Sequence, residues 1–355
     1  MDKCLLVLGA GTGASNNLIR SLKSGDPWLR IVGAHDDRFV LKKSCADRNY
    51  LTPSPTSEGF PDALRRVVAR ERVDLVIPAS DVHVIVTSAL RDALGCRTFL
   101  PSPRTIELCQ DKYDLTVFLR SRDLPAPLTY GVTRLDEIDE IFERFPSGAL
   151  LWCRIRRGTA SMGATSVRTP QHAKGWIGHW HDMRGVPIES FTLSEYLPGR
   201  DFLCQGLWKD GQLVLVKTFE RLSYFGGAAN PSGLSSLSAL AKTVYEPRVV
   251  DVCRRVIDAI DTRASGVFSI DLKEDRTRTP CITEINAGRF FMAMNNLDAA
   301  GKHNMGVTYV RLALGEDVQM QNEYDVVEDF YMVRDLDTLP GVFHADAFFE
   351  DIEEA

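Results

Sequence analysis

The stretch at residues 266–289, GVFSIDLKEDRTRTPCITEINAGR, constrains the fold of this chain more than any other. It holds two strand-like runs joined by EDRTRTP, a polar, Pro-ended connection suited to a hairpin-like turn. In the first run Phe268, Ile270 and Leu272 fall on one side, while Ser269, Asp271 and Lys273 fall on the other. In the second run Ile282, Glu284 and Asn286 share a face. Folding the runs together brings Asp271, Glu284 and Asn286 to one point. Two carboxylates and an amide are hard oxygen ligands, suited to magnesium held against the phosphates of a nucleotide. Taken alone, the same pattern also suits a solvated strand face.

The rest of the chain gives this hairpin a setting. At 355 residues there is room for two or three domains or lobes with ample core. Hydrophobic residues at 44% and charged ones at 25% are ordinary for a soluble globular protein. No apolar run approaches a membrane span, and Met1 leads into a strand-like segment rather than a signal peptide. The eight cysteines form no CxxC pair or zinc-spaced cluster, and Cys4, Cys109 and Cys253 sit in apolar runs, as reduced core thiols do. These features point to the cytoplasm.

Charge is unevenly spread. From Asp325 onward there are ten acidic residues and one arginine, so of the net −6 the body before it carries +3. That excludes a nucleic-acid surface and leaves room for a basic pocket that receives phosphates. Phe330, Tyr331, Phe343, Phe348 and Phe349 are mixed among the acids, so a docked C-terminal segment is expected.

The first hundred residues alternate strand and helix signals. CLLVLG (4–9), RIVGAH (30–35) and DLVIPAS (74–80) read as buried parallel strands, with helices predicted at 14–23, 60–70 and 82–94. A short strand is predicted at RTFL (97–100), and Ser102-Pro103 then caps a helix. LGAGTG (8–13) sits where a dinucleotide loop would, but it lacks the third glycine of that fingerprint. Asp36 or Asp37 is placed to hold a ribose, yet such residues are common there. A tight glycine turn is the preferred reading over a nicotinamide-cofactor site.

A boundary falls near Asp111. DKYDLTVFLRSRDLPAPLTYGV reads as a helix with a Pro-rich exit into a strand, followed by the helix-like LDEIDEIFERF and the strand ALLWCRI. RRGTASMGATSV (156–167) then forms a small, polar, Gly-containing loop, with Arg154, Arg156 and Arg157 beside it. Its backbone N–H groups and guanidinium groups suit phosphate oxygens, although it has no P-loop ending and its composition also suits a plain surface loop. A helix containing Trp176 and Trp180 leads to the strand TLSEYLP (192–198). There Glu195 and Asp201 flank a glycine turn, an arrangement suited either to an adenine edge and ribose or to an ordinary β-turn.

In this order, the pair DK at 111–112, Arg154 with its loop, EYLPGRDF at 195–202, Asp271, and E-I-N at 284–286 resemble the ATP-grasp superfamily. The nearest branch is the one containing the large subunit of carbamoyl phosphate synthetase, and the match covers roughly residues 1–320. The resemblance implies an α/β fold: an N-terminal doubly wound, Rossmann-like pre-ATP-grasp domain (1–110), then a two-lobed α+β ATP-grasp domain. Its small lobe would span 111–191 and its large lobe 192–320, followed by an acidic segment at 321–355.

The resemblance also implies roles. Lys112, Arg154, Ser161 and Gly163 correspond to phosphate-binding positions, Glu195, Tyr196 and Leu197 to the adenine hinge, and Asp201 to a ribose-binding glutamate. Asp271, Glu284 and Asn286 correspond to the magnesium ligands (manganese being an alternative), and Arg289 to the arginine steadying the transferring phosphoryl group. Arg289 stands one residue later than in the common E-I-N-P-R, and Ala160 replaces a common glycine. The loop at 217–243 stands where that branch lines its acceptor pocket. Lys217, Arg221 and Ser235 are therefore candidate contacts, Lys217 also a catalytic one, with His303 and Asn304 downstream; a long surface loop fits this segment equally.

The implied activity is an ATP-dependent ligase that activates a carboxylate as an acyl phosphate and couples it to an amine, both small molecules. Alternatives are a kinase or synthetase making a phosphorylated carboxylate or carbamate, and a non-catalytic nucleotide sensor. A homodimer is the quaternary state that the resemblance suggests.

Overall fold

The run CLLVL has no polar face to offer water, and β1 (Cys4–Leu8) is buried at every position. In the computed structural model, which describes residues 3–158, 161–226, 237–335, 339 and 341–347, β1 lies inside a parallel sheet. Beside it run β2 (Arg30–His35), β3 (Arg48–Leu51) and β4 (Leu75–Pro78), in the order β3-β2-β1-β4. The helices between them are Gly13–Gly25, the short Arg38–Leu41, Phe60–Glu71 and Asp81–Leu90. Two departures from expectation have simple causes. β3 is a mostly exposed edge strand with no apolar alternation to betray it. RTFL contributes only a single bridge, Arg97 to Leu75, instead of a strand.

The glycine turn after β1 is set by close approach. A Cβ on Gly11 (φ +90°) would lie 2.0 Å from the Val40 carbonyl oxygen, so only glycine fits. Asp37 caps the helix Arg38–Leu41, its carboxylate accepting the Phe39 N–H at 2.7 Å.

Ser102 caps the helix Pro103–Gln110 as its Ser-Pro pair predicts. Asp111 ends that helix and caps the next, Lys112–Arg120, accepting the N–H groups of Tyr113 and Asp114. Beyond it a second sheet forms from β5 (Thr129–Gly131), β6 (Leu151–Ile155), β7 (Thr165–Val167) and β8 (Phe191–Glu195), in the order β5-β8-β6-β7. The helices Ile138–Glu143 and Pro170–Arg184 cover it around a core of its own.

The third sheet has seven strands: β9 (Asp201–Lys209), β10 (Gln212–Tyr224), β11 (Ser238–Thr243), β12 (Gly266–Glu274), β13 (Pro280–Ala287), β14 (Phe330–Val333) and β15 (Gly341–His344). Their order is β13-β12-β9-β10-β11-β14-β15, and every pairing is antiparallel. β14 and β15 are the docked C-terminal segment, added at the edge of the large sheet; Phe348 and Phe349 lie outside the described residues.

β12 and β13 form the expected hairpin with one correction. Ser269 faces Asn286 and Asp271 faces Glu284, but the register then slips, and Leu272 faces Ile282. The bulge takes up Thr283, whose hydroxyl donates to the Asp271 carbonyl at 3.1 Å. Ile282 therefore leaves the Glu284 face and packs in the core with Leu272 and Ile285. Strict alternation fails there because one residue has no partner opposite.

One further core joins sheets. Leu5, Val7 and Leu75 of the parallel sheet pack with Leu207, Leu215 and Val267 of the large sheet, with Tyr309 of the helix Met305–Ala313 among them. Among the described residues, no helix is long and apolar enough to cross a membrane.

Candidate functional site

The three sheets converge on a cavity of about 790 Å³. At one end lies the turn after β8. Glu195 is held by backbone, its Oε1 accepting the Leu128 N–H at 2.7 Å. Tyr196 packs at 6.3 Å from the Trp152 ring, the Lys273 ammonium sits 5.7 Å above the Tyr196 ring, and Leu197 is buried. Trp152, Tyr196, Leu197 and Pro127 give this end of the cavity an apolar lining.

Next comes a cluster of cations. Asp111, clamped by Arg156 and Arg157, starts the helix so that Lys112 points inward. The Lys112 Nζ donates to the Gly158 carbonyl at 2.7 Å and lies 3.5 Å from the Glu284 carboxylate. Arg154 comes in from β6 and is nearly sealed from solvent, and its Nε has no hydrogen-bond partner. Burial lowers its pKa, while Glu284 and Asp271 pull the other way. A buried guanidinium N–H without a partner is costly, so it marks a place where an anion is expected.

The loop after β6 keeps this space open. Ser161 has a left-handed backbone (φ +57°) and lines the cavity. Gly163 has φ +68°, and a Cβ on it would lie 2.5 Å from the Ile155 side chain. The Gly163 carbonyl accepts the Trp176 indole N–H at 2.9 Å, which fixes the end of the loop. Ala160 lies outside the described residues.

Beside the cations stand the hairpin acids. Asp271 and Glu284 are direct cross-strand neighbours, and Asn286 donates to Asp271 at 3.2 Å. Arg221 of β10 bridges Asp201 at 3.1 Å and Asp271 at 2.5 Å, and the Tyr224 hydroxyl also bonds to Asp201. Burial, helped by Glu284 and Asp201 and opposed by Arg221, pushes the Asp271 carboxyl up to about 6. Two crowded carboxylates and an amide beside a phosphate-ready cluster are a donor set that fits a divalent cation keeping several waters. Among the described residues no third carboxylate, histidine or cysteine joins them.

Arg289 lines the same cavity, because Gly288 (φ +92°) turns the chain back after the extra residue. It donates to Asn286 and forms an ion pair with Asp81, at the first turn of the helix Asp81–Leu90.

Some expected contacts lie elsewhere. Lys217 is not a cavity residue; it is sealed between Asp298 at 3.6 Å and Asp325 at 3.5 Å. His303 is away from the cavity too, its N–H donating to Asp325. Asn304 caps the helix Met305–Ala313 and donates to the Ser21 carbonyl. Ser235 lies outside the described residues. Conversely, the cavity contains Asp81, Tyr224, Met292 and Arg334, none of which the motifs singled out.

No protein-family model matches the sequence, and no curated protein matches it. Solved structures do match in shape. The L-amino acid ligase of Bacillus licheniformis superposes with a TM-score of 0.69 at 13% identity, over 93% of this chain and 78% of the other. Carboxyaminoimidazole ribonucleotide synthase of Aspergillus clavatus, complexed with ATP, gives 0.69 at 13%, over 94% and 82%. Biotin carboxylase of Campylobacter jejuni gives 0.71 at 11%, over 93% and 74%.

Proposed function

Because this chain has the ATP-grasp fold, we propose that it is an ATP-dependent ligase that activates a carboxylic acid as an acyl phosphate and joins it to an amine. One observation carries the reading. Asp271, Glu284 and Asn286 stand on one face of a hairpin, with the Lys112 ammonium 3.5 Å from Glu284 and the unpartnered Nε of Arg154 in the wall of the same cavity. The solved structures that share this shape include an amino acid ligase and a ribonucleotide synthase complexed with ATP, which agrees with it.

The adenine would sit against Trp152, Tyr196 and Leu197, with its triphosphate extending toward Lys112, Arg154 and the Ser161–Gly163 turn. Asp271, Glu284 and Asn286 would hold magnesium or manganese, which when bound neutralises charge on the phosphates. Lys112 and Arg154 supply fixed positive charge where the γ-phosphoryl oxygens come to lie. Arg289, oriented by Asp81, is placed to steady the same group.

In the first step an oxygen of the acid's carboxylate attacks the γ-phosphorus and ADP leaves. In the second the amine nitrogen attacks the acyl carbon, phosphate leaves, and the nitrogen gives up a proton to solvent. The protein needs no nucleophilic side chain; its part is to position, desolvate and screen.

The test is a scan of Mg·ATP turnover across pairs of acids and amines, with Glu284→Gln as the blank. ADP and phosphate formed only when acid and amine are both present is the expected result. Turnover with an acid alone would instead indicate a kinase-like synthetase, and AMP with pyrophosphate would contradict the acyl-phosphate route. Tight ATP binding without turnover by any pair would favour a sensor.

A further inference from the structure

Two of the cavity's four guanidinium groups are ion-paired with acids, and a third lies in the field of two more. Arg221 holds Asp201 and Asp271, Arg289 holds Asp81, and Arg154 feels Glu284 and Asp271. The fourth, Arg334, is different. Among the described residues no carboxylate pairs with it, its side-chain hydrogen bond runs to the Met292 sulfur at 3.8 Å, and burial lowers its pKa.

Arg334 is also firmly placed. It directly follows β14, and its backbone N–H donates to the Ala239 carbonyl at 2.8 Å. Its neighbour Met332 is fully buried against Phe291 and Met294. The Phe291 N–H, in turn, is tied to Gln205 at 2.9 Å. On the far side of Met292 stands the amino end of the helix Gly13–Gly25, where a methyl group on Gly13 would lie 3.7 Å from the same sulfur. The cavity lining also includes the apolar side chains of Leu203, Leu237, Phe291, Met292 and Met294.

We infer that Arg334 binds a second anionic group, a carboxylate or phosphate carried by one of the two substrates on an apolar body, which the reaction leaves intact. The inference rests on the ligase reading. In that reading the carboxylate being activated must lie beside the phosphates, near Arg289 and the hairpin acids, so it does not account for a separate, partly desolvated cation at the Met292 end. A half-exposed guanidinium that has no acid partner and borders apolar side chains gains from a counter-ion brought by a ligand. Arg334 is thus a specificity-determining residue, and the product keeps the charge that Arg334 recognised.

The experiment uses the full chain with Mg·ATP and a panel of L-amino acids, glutarate, succinate and O-phospho-L-serine. Each anionic member is paired with its neutral amide, or with serine in the phosphate case. For the best partner, wild type is expected to lose on the order of 10- to 100-fold in kcat/KM when the remote anion is neutralised, chiefly through KM. Arg334→Gln should lose a similar factor with the anionic partner and little more with the neutral one, KM for ATP being unchanged. Arg334→Lys should recover part of the loss. The carboxylate and phosphate arms tell which anion is meant. Equal discrimination by wild type and Arg334→Gln would overturn the inference while the ligase stands. If no pair turns over, the ligase reading fails, and the same panel is scored by thermal shift with Mg·ADP. An anion that stabilises wild type and not Arg334→Gln then upholds the subsite; no difference between them overturns it.

Discussion

Lys217 and Arg221 lie four residues apart on β10, and each stands between two aspartates. Their side chains differ in what covers them. Lys217 is roofed by the turn Met294–Ala300 and by the loop bearing Asp325, and its side chain is 3% exposed. Arg221 lies beyond that roof and opens on the cavity, which its two aspartates also line. The same chemistry is structural in one place and available in the other. Cover, rather than residue type, decides which.

The strongest way to break this comparison is to remove the sealed cation. Lys217→Met leaves Asp298 and Asp325 buried without a counter-ion, so unfolding by urea should show a loss of about 3–5 kcal/mol that magnesium does not restore. A loss near zero would mean that the cluster is not sealed.

A second test concerns pH at the open cluster. Asp271 has its carboxyl raised to about 6 from an ordinary 3.8, so between these values the folded chain holds a proton that the unfolded chain has released. Stability relative to Asp271→Asn should therefore fall as pH rises through that window, by at most about 3 kcal/mol. Parallel stability curves for the two proteins would contradict it.

Arg221→Gln should cost less than the lysine change, about 1–3 kcal/mol, because the freed carboxylates reach solvent. Added magnesium should recover part of that loss, which sharpens the contrast with Lys217→Met. Smallest is Ser21→Ala, which removes the 2.6 Å hydrogen bond from Ser21 to Asp298 and should cost about 1 kcal/mol with ATP binding unchanged.

The hairpin acids were legible because alternation keeps Glu284 and Asn286 on one side of their strand, and antiparallel pairing sets Asp271 on that same face opposite Glu284. The position of Ile282 was not, since a single bulged residue reverses the alternation without leaving a mark in composition. Nor did sequence separate Lys217 from Arg221, because the acids that seal Lys217 come from 81 and 108 positions away. β3 escaped notice because an exposed edge carries no apolar period. Arg334 stands out in the sequence only as the one arginine among ten acids in the last stretch of chain. A lone opposite charge there is best explained by what it faces in three dimensions.

The shared core between the parallel and large sheets has a structural consequence. Leu5, Val7, Leu207 and Val267 belong to one packed cluster, and Ser21–Asp298 and Arg289–Asp81 tie the same two parts together again. The small sheet keeps a separate core. Two walls of the cavity thus share one packed core, while the third wall rests on a core of its own.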